Sequence, residues 1–252
     1  MIHFVGAGPG AVDLITVRGQ KLLKEADVII YAGSLVNPQL LQERKANCEV
    51  YDSAYMTLEE VIAVMEQAEC QGKETVRLHT GDPSIYGAIR EQMDLLEQKG
   101  ITYESCPGVS SFCGAAAALN MEYTLPGISQ SVILTRMEGA TKVPEGEQIE
   151  KLAAHHTTMV LFLSTGMLSQ LAEKLIAGGY AANTPAALVY KATWPEEKKI
   201  IATLETLPKL AREAGISKTA LIIVGNVVGK SGYEKSRLYA ADFSTAYRKA
   251  SK

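Results

Sequence analysis

Ile2-His3-Phe4-Val5-Gly6-Ala7-Gly8-Pro9-Gly10-Ala11 sets the fold class. A short apolar run closed by glycines is strand followed by tight turn, and residues 14–26 behind it place Leu22, Leu23 and Ala26 on one helical face. Asp27-Val28-Ile29-Ile30-Tyr31-Ala32 is then a nearly continuous apolar run of strand length, the pattern of a parallel strand covered on both faces. Strand, helix, strand in this order is the repeat of an α/β fold.

The same alternation continues outward. Thr57 stands three residues before Glu60, a capping box that opens a helix running to about Gln71, and the strand 75–78 follows. A helix over 87–98 carries Ile89, Met93 and Leu96 on one side, and a short strand lies around Thr102 and Tyr103. Cys106-Pro107-Gly108-Val109-Ser110-Ser111 then turns into the small-residue run 114–118, which reads as a closely packed helix. Pro126 and Gly127 punctuate a boundary, so the expected domains are 1–120 and 121–252. In the second, strands are expected at 131–136, 159–163, 186–190, 199–203 and 220–225, with Leu168, Leu171 and Leu175 lining a helix that Gly178-Gly179 ends. The loop 191–198 is too short for a helical crossover and implies an antiparallel pair. The expected architecture is two α/β domains, the first with a mainly parallel sheet, the second with a mixed sheet and a polar, peripheral tail after Gly229.

Composition narrows the function. Of 252 residues, 47% are apolar and 21% charged, with a net charge of −3, which excludes a disordered or collagen-like chain. Cys48, Cys70, Cys106 and Cys113 have no CxxC spacing and no histidine at a ligand spacing, so neither a zinc site nor a disulfide framework is indicated and no metal is expected. No basic leader and no apolar run of membrane-spanning length appear, so a cytoplasmic protein without membrane contact is expected. The 25 basic and 28 acidic residues are spread along the chain, which gives no footprint for nucleic acid.

Three loops are candidates for chemistry. Gly6-Ala7-Gly8-Pro9-Gly10-Ala11 formally satisfies the dinucleotide fingerprint, but strand 2 ends Tyr31-Ala32-Gly33 without the ribose-binding acid, and Pro9 removes an N–H from the loop. Thr80-Gly81-Asp82-Pro83 lies at the carboxyl edge of a parallel sheet, where open α/β folds bind ligands; Asp82 either caps the turn or meets a ligand. Ser110 and Ser111 at the next strand edge have the same two readings. His79 is the histidine at this edge, whereas His155-His156 reads as a surface pair at a helix end. No nucleophile elbow, P-loop, HExxH or kinase motif is present.

Taken together, Val5-Gly6-Ala7-Gly8-Pro9-Gly10 with Asp13-Leu14-Ile15-Thr16, Thr80-Gly81-Asp82-Pro83 and Cys106-Pro107-Gly108-Val109-Ser110-Ser111 resemble the S-adenosylmethionine-dependent tetrapyrrole (corrin/porphyrin) methyltransferases, over nearly the whole chain. Tyr31-Ala32-Gly33-Ser34-Leu35-Val36, Leu134-Thr135-Arg136-Met137-Glu138-Gly139 and Phe162-Leu163-Ser164-Thr165 resemble the branch that methylates C11 of precorrin-4 or its cobalt form in cobalamin synthesis. The uroporphyrinogen-III branch carries an Asp soon after the second strand's Tyr, where this chain has Ala32-Gly33.

The resemblance implies two α/β domains with the cofactor in the cleft between them, a homodimer, a tetrapyrrole substrate, and S-adenosyl-L-homocysteine as co-product. It implies cofactor contacts at Pro9, Thr80, Gly81, Asp82, Ile85, Ser110 and Ser111, and in the second domain at Leu163 and Ala192, with Thr219 and Ala220 as further positions. Methyl transfer from a sulfonium to an electron-rich ring carbon is an in-line displacement that positioning can accelerate, so no catalytic acid or base is assigned. The carboxylate-rich substrate calls for cationic partners, with Arg136, Lys142 and Lys191 as candidates, each also readable as a solvated surface residue. Alternatives are a family member acting on another ring carbon, a dinucleotide-dependent oxidoreductase, and a non-catalytic binding module of the same fold.

Overall fold

The computed structural model describes residues 1–251, which divide into two compact units: Met1–Ala118 with Lys191–Lys198, and Leu119–Tyr190 with Lys199–Lys252. Each is an α/β layer structure.

The first unit alternates strand and helix: β1 (Ile2–Gly6), α1 (Val17–Glu25), β2 (Val28–Tyr31), β3 (Glu49–Asp52), α2 (Leu58–Cys70), β4 (Thr75–His79), α3 (Arg90–Gln98), β5 (Tyr103–Cys106) and α4 (Ser111–Leu119). The strands form a sheet in the order β3-β2-β4-β1-β5, and every pairing is parallel. β1 and β4 are inner strands and wholly buried, β4 although it alternates Thr75, Arg77 and His79 with Val76 and Leu78. One face packs Val5, Ile29, Val76 and Leu78 with Leu23 of α1; the other packs Ile2, Phe4, Val28 and Ile30 against α2 and α3.

Local chemistry places the helix ends. The Glu60 amide donates to Thr57 Oγ1 at 3.3 Å and the Thr57 amide to Glu60 Oε2 at 2.7 Å, the expected capping box. α1 starts at Val17, later than the pattern suggests, because Thr16 accepts from the Gly19 amide and residues 12–14 form a 3-10 turn. α3 starts at Arg90 rather than at residue 87 because Tyr86 and Ala88 have φ of 56° and 49°, outside helical space. β3 was not marked by the sequence: Glu-Val-Tyr-Asp is an edge strand, half polar and partly exposed.

The second unit contains β6 (Val132–Arg136), α5 (Ile149–Ala153), β7 (Thr158–Phe162), α6 (Leu168–Ala177), β8 (Pro185–Tyr190), β9 (Lys198–Thr203), α7 (Leu207–Glu213) and β10 (Ala220–Val224). Its sheet runs β6-β7-β10-β8-β9; β6 and β7 are parallel, and β10 is antiparallel to both β7 and β8, a mixed sheet. Met159, Leu161, Leu171, Leu175, Leu188 and Ile222 are fully buried in its core. α5 and α7, of five and seven residues, are too short to show a periodicity and escape the sequence reading. Residues after Gly229 are mostly exposed. No helix among the described residues is long and apolar enough to cross a membrane.

Candidate functional site

In the first unit the three candidate loops follow β4, β1 and β5, adjacent strands of the parallel sheet, and therefore meet at its carboxyl edge. They touch backbone to backbone. The Gly81 amide donates to the Gly8 carbonyl at 2.9 Å, the Gly8 amide to the Gly81 carbonyl at 3.3 Å, and the Ala7 amide to the His79 carbonyl at 2.7 Å. A Cβ at Gly108 would lie 2.2 Å from the Gly81 oxygen and 2.7 Å from Gly6 Cα, so only hydrogen fits at this junction.

Asp82 completes the junction. One carboxylate oxygen accepts from the Gly108 amide at 2.8 Å, and the other accepts from the Ser84 amide at 2.8 Å and from the Ser84 hydroxyl. Burial raises its pKa, but these donors outweigh burial and hold it below the ordinary carboxylate value. Asp82 thus ties the β4 loop to the β5 loop. Thr80, Ile85 and Ser111 are half-buried beside it, and Pro9, Gly81 and Ser110 are buried. These loops contain no lysine or arginine and one carboxylate. A cationic sulfonium ligand with ribose hydroxyls meets no like charge there.

Lys191–Lys198 belongs to this unit and lies on the glycine loop. Trp194 Nε1 donates to the Pro9 carbonyl at 3.2 Å, the Ala11 amide donates to Thr193 Oγ1 at 3.0 Å, and a Cβ at Gly10 would fall 2.1 Å from the Trp194 ring. Ala192, expected in the second domain, is buried in this segment of the first unit, because the segment packs on the glycine loop, and Lys191 sits 5.2 Å over the Trp194 ring centroid and 3.6 Å from Glu196. Sequence reasoning missed Thr193 and Trp194, because their partners lie more than 180 residues away.

In the second unit the structure gathers Leu163, Thr219 and Ala220 at one sheet edge, where β7 ends and β10 begins. Thr165 Oγ1 donates to the Ala220 carbonyl at 3.0 Å and joins the two. Leu163 has φ 52° with 69% of its surface exposed, and Thr219 has φ 57°. Left-handed backbone at an exposed leucine is strained, and such strain persists where the surroundings impose it, commonly at ligand sites. Arg136, at the end of β6, donates to the carbonyls of Met137, Thr141 and Lys142 and so braces its own loop; Lys142 is exposed on that loop.

A further group was not legible in the sequence. In the first unit, a cavity of about 300 Å³ opens between the sheet and α2 and α3, lined among others by Arg77, His79, Thr80, Ser53, Gln92 and the exposed Glu91. Arg77 is 7% exposed; its Nε donates to Gln92 Oε1 at 3.1 Å and its Nη1 to the Ile30 carbonyl at 3.2 Å. Burial lowers its pKa to about 10, so it stays charged near neutrality. His79 is 4% exposed, stacks on Phe4 and has Nε2 without a hydrogen-bond partner. Burial, and secondarily Arg77, push its pKa down to about 3. Alternation along β4 was the available signal: Thr75, Arg77 and His79 put polar side chains on a face otherwise built of Ile2, Phe4, Val28 and Ile30.

The fold, the three loops and the full-length match define the class. The chain belongs to the tetrapyrrole (corrin/porphyrin) methylases, whose family pattern matches residues 1–208. It is 53% identical over 251 residues to the cobalt-precorrin-4 C(11)-methyltransferase of Methanocaldococcus jannaschii, covering all of this chain and 97% of that protein. The X-ray structure of a cobalamin biosynthetic enzyme, cobalt precorrin-4 methyltransferase, superposes with a TM-score of 0.88 at 47% identity, over 90% of this chain and 95% of that one. Uroporphyrin-III C-methyl transferase from Thermus thermophilus, complexed with S-adenosylhomocysteine, matches with a TM-score of 0.76 at 26% identity over 93% and 96% of the two chains.

Proposed function

We propose that the chain transfers a methyl group from S-adenosyl-L-methionine to C11 of precorrin-4 or its cobalt form, a step of cobalamin synthesis. The observation that carries this is the full-length correspondence to a relative named for that reaction, at 53% identity. The oxidoreductase reading is weakened because strand 2 ends Tyr31-Ala32-Gly33 without the ribose-binding acid and Pro9 removes an N–H from the glycine loop.

Bound S-adenosylmethionine supplies an electrophilic methyl group on sulfur whose leaving group departs neutral. The residues proposed to hold it are Pro9, Thr80, Gly81, Asp82, Ile85, Ser110, Ser111 and Ala192 in the first unit, and Leu163, Thr219 and Ala220 in the second. Their support is the tight junction of Gly6, Gly81 and Gly108, the clamp of Asp82 on the Gly108 amide, and the left-handed turns at Leu163 and Thr219. These residues bind and orient, and orientation is the term an in-line displacement needs most. Arg136, Lys142 and Lys191 remain proposed substrate partners; the guanidinium of Arg136 acts by bracing residues 137–142. A homodimer and a cytoplasmic setting are proposed on the family resemblance, and a domain division near residue 120 on the Pro126-Gly127 punctuation, with residues 191–198 returning to the first unit.

Isothermal titration with S-adenosylhomocysteine, followed by single-turnover assays on precorrin-4 with and without cobalt, tests the reading. Micromolar-range binding and a C11-methylated product support it. An absence of binding, or methylation at another ring carbon, overturns it.

A further inference from the structure

Buried charges are paired or made useful, and buried polar atoms are satisfied, because each exception costs free energy. The recess in the first unit holds two exceptions side by side. Arg77 makes no ion pair among the described residues: its acceptors, Gln92 Oε1 and the Ile30 carbonyl, are neutral, and Nη2 has no protein acceptor. Two residues along the same face of β4, His79 keeps Nε2 unpartnered at 4% exposure. Packing demands neither group, since an apolar pair would continue the face formed by Phe4 and Ile30 without desolvation cost.

Resting on the methyltransferase reading, we propose that this recess receives one carboxylate arm of the tetrapyrrole, held by the Arg77 guanidinium and the imidazole N–H of His79. The chemistry points to an anion because the buried guanidinium makes no ion pair, Glu91 being exposed in the lining and unpaired with it, and to a planar carboxylate because a guanidinium fork matches it. A recess of about 300 Å³ also has room for a short acid arm. Gln92 is the positioning residue, with Oε1 accepting from Arg77 Nε while its Nε2 donates to the Ala88 carbonyl at 2.9 Å, which fixes the fork in one plane. The neutral form of His79 donates one N–H without adding a second charge, so the recess selects a single carboxylate.

The test titrates uroporphyrin III, a soluble tetrapyrrole octacarboxylate, into the full chain and into Arg77→Gln and His79→Phe variants, with S-adenosylhomocysteine titrated in parallel. Selective ¹⁵N-histidine labelling of the wild-type chain follows the His79 ring nitrogens, assigned with His79→Gln. Expected are affinities for uroporphyrin III weaker by about tenfold or more in both variants, the size of a charge-assisted hydrogen bond. Affinity for S-adenosylhomocysteine stays unchanged, and the His79 nitrogen signals move at saturation in the wild type. Unchanged uroporphyrin III affinity in the variants, unmoved His79 signals, or no binding of uroporphyrin III by the wild type overturns the recess and leaves the methyltransferase reading in place. Failure of the wild type to bind S-adenosylhomocysteine instead removes that reading, so the two failures are distinct.

Discussion

Gly108 shows how one atom can govern this site. Its missing Cβ lets the β5 loop rest on the Gly81 carbonyl, and Gly108→Ala is expected to cost about 2–4 kcal/mol by urea unfolding, with cofactor affinity falling in parallel. A loss under about 0.5 kcal/mol would mean that the junction yields freely. Two acid–base groups both cost stability on acidification, but over different pH ranges. Asp82 has a depressed pKa, so its stabilisation is complete above the ordinary Asp value near 4 and fades as the pH falls through the lower folded value. Asp82→Asn should flatten the unfolding profile in that acid range. His79 is a base kept neutral: above about pH 6.5 it is uncharged folded and unfolded, and below that the unfolded chain binds a proton that the folded chain refuses until about pH 3. Stability should therefore fall by about 1.4 kcal/mol per pH unit from this residue between those limits, and His79→Phe should remove that slope. The sequence displayed Asp82 with Ser84 two residues on, and His79, but the burial that holds His79 neutral and the Gly108 amide on Asp82 come only from the fold.

At the level of elements, helix starts were legible where a side chain caps its own helix. Thr57→Ala removes half of the capping box on α2 and should destabilise by about 1 kcal/mol, read as a shifted urea midpoint with unchanged slope. The segment 191–198 was legible only as a connection. Its structural part is to cover the glycine loop with Trp194, the one tryptophan of the chain. Intrinsic fluorescence therefore reports on Pro9 and Gly10, and titration with S-adenosylhomocysteine should change its intensity or emission maximum. Gly10→Ala, whose Cβ would occupy the ring's place, should displace the ring and abolish that response. A wild-type signal that stays constant at saturating ligand would separate this loop from the cofactor.

Across the whole molecule, a ligand that binds only the folded chain stabilises it by mass action. S-adenosylhomocysteine at 100 times its Kd should add about 2.7 kcal/mol and raise Tm accordingly, whereas NADH should not. A shift with NADH alone would restore the oxidoreductase. What the sequence determined by itself is the local and the periodic: the βα alternation of the first unit, the mixed character of the second sheet, the capping box, and three loops following strands. Hydrophobic period, glycine and proline act over a few residues, so they can be read without a fold. Only the tertiary structure decided that β1 lies between β4 and β5, which brings those loops together, and that residues 191–198 join the first unit. It alone set Arg77 and His79 around one recess, with no ion-pair partner for Arg77 among the described residues. These depend on contacts between residues far apart in the chain, where packing and desolvation choose the partners and no local pattern records the choice.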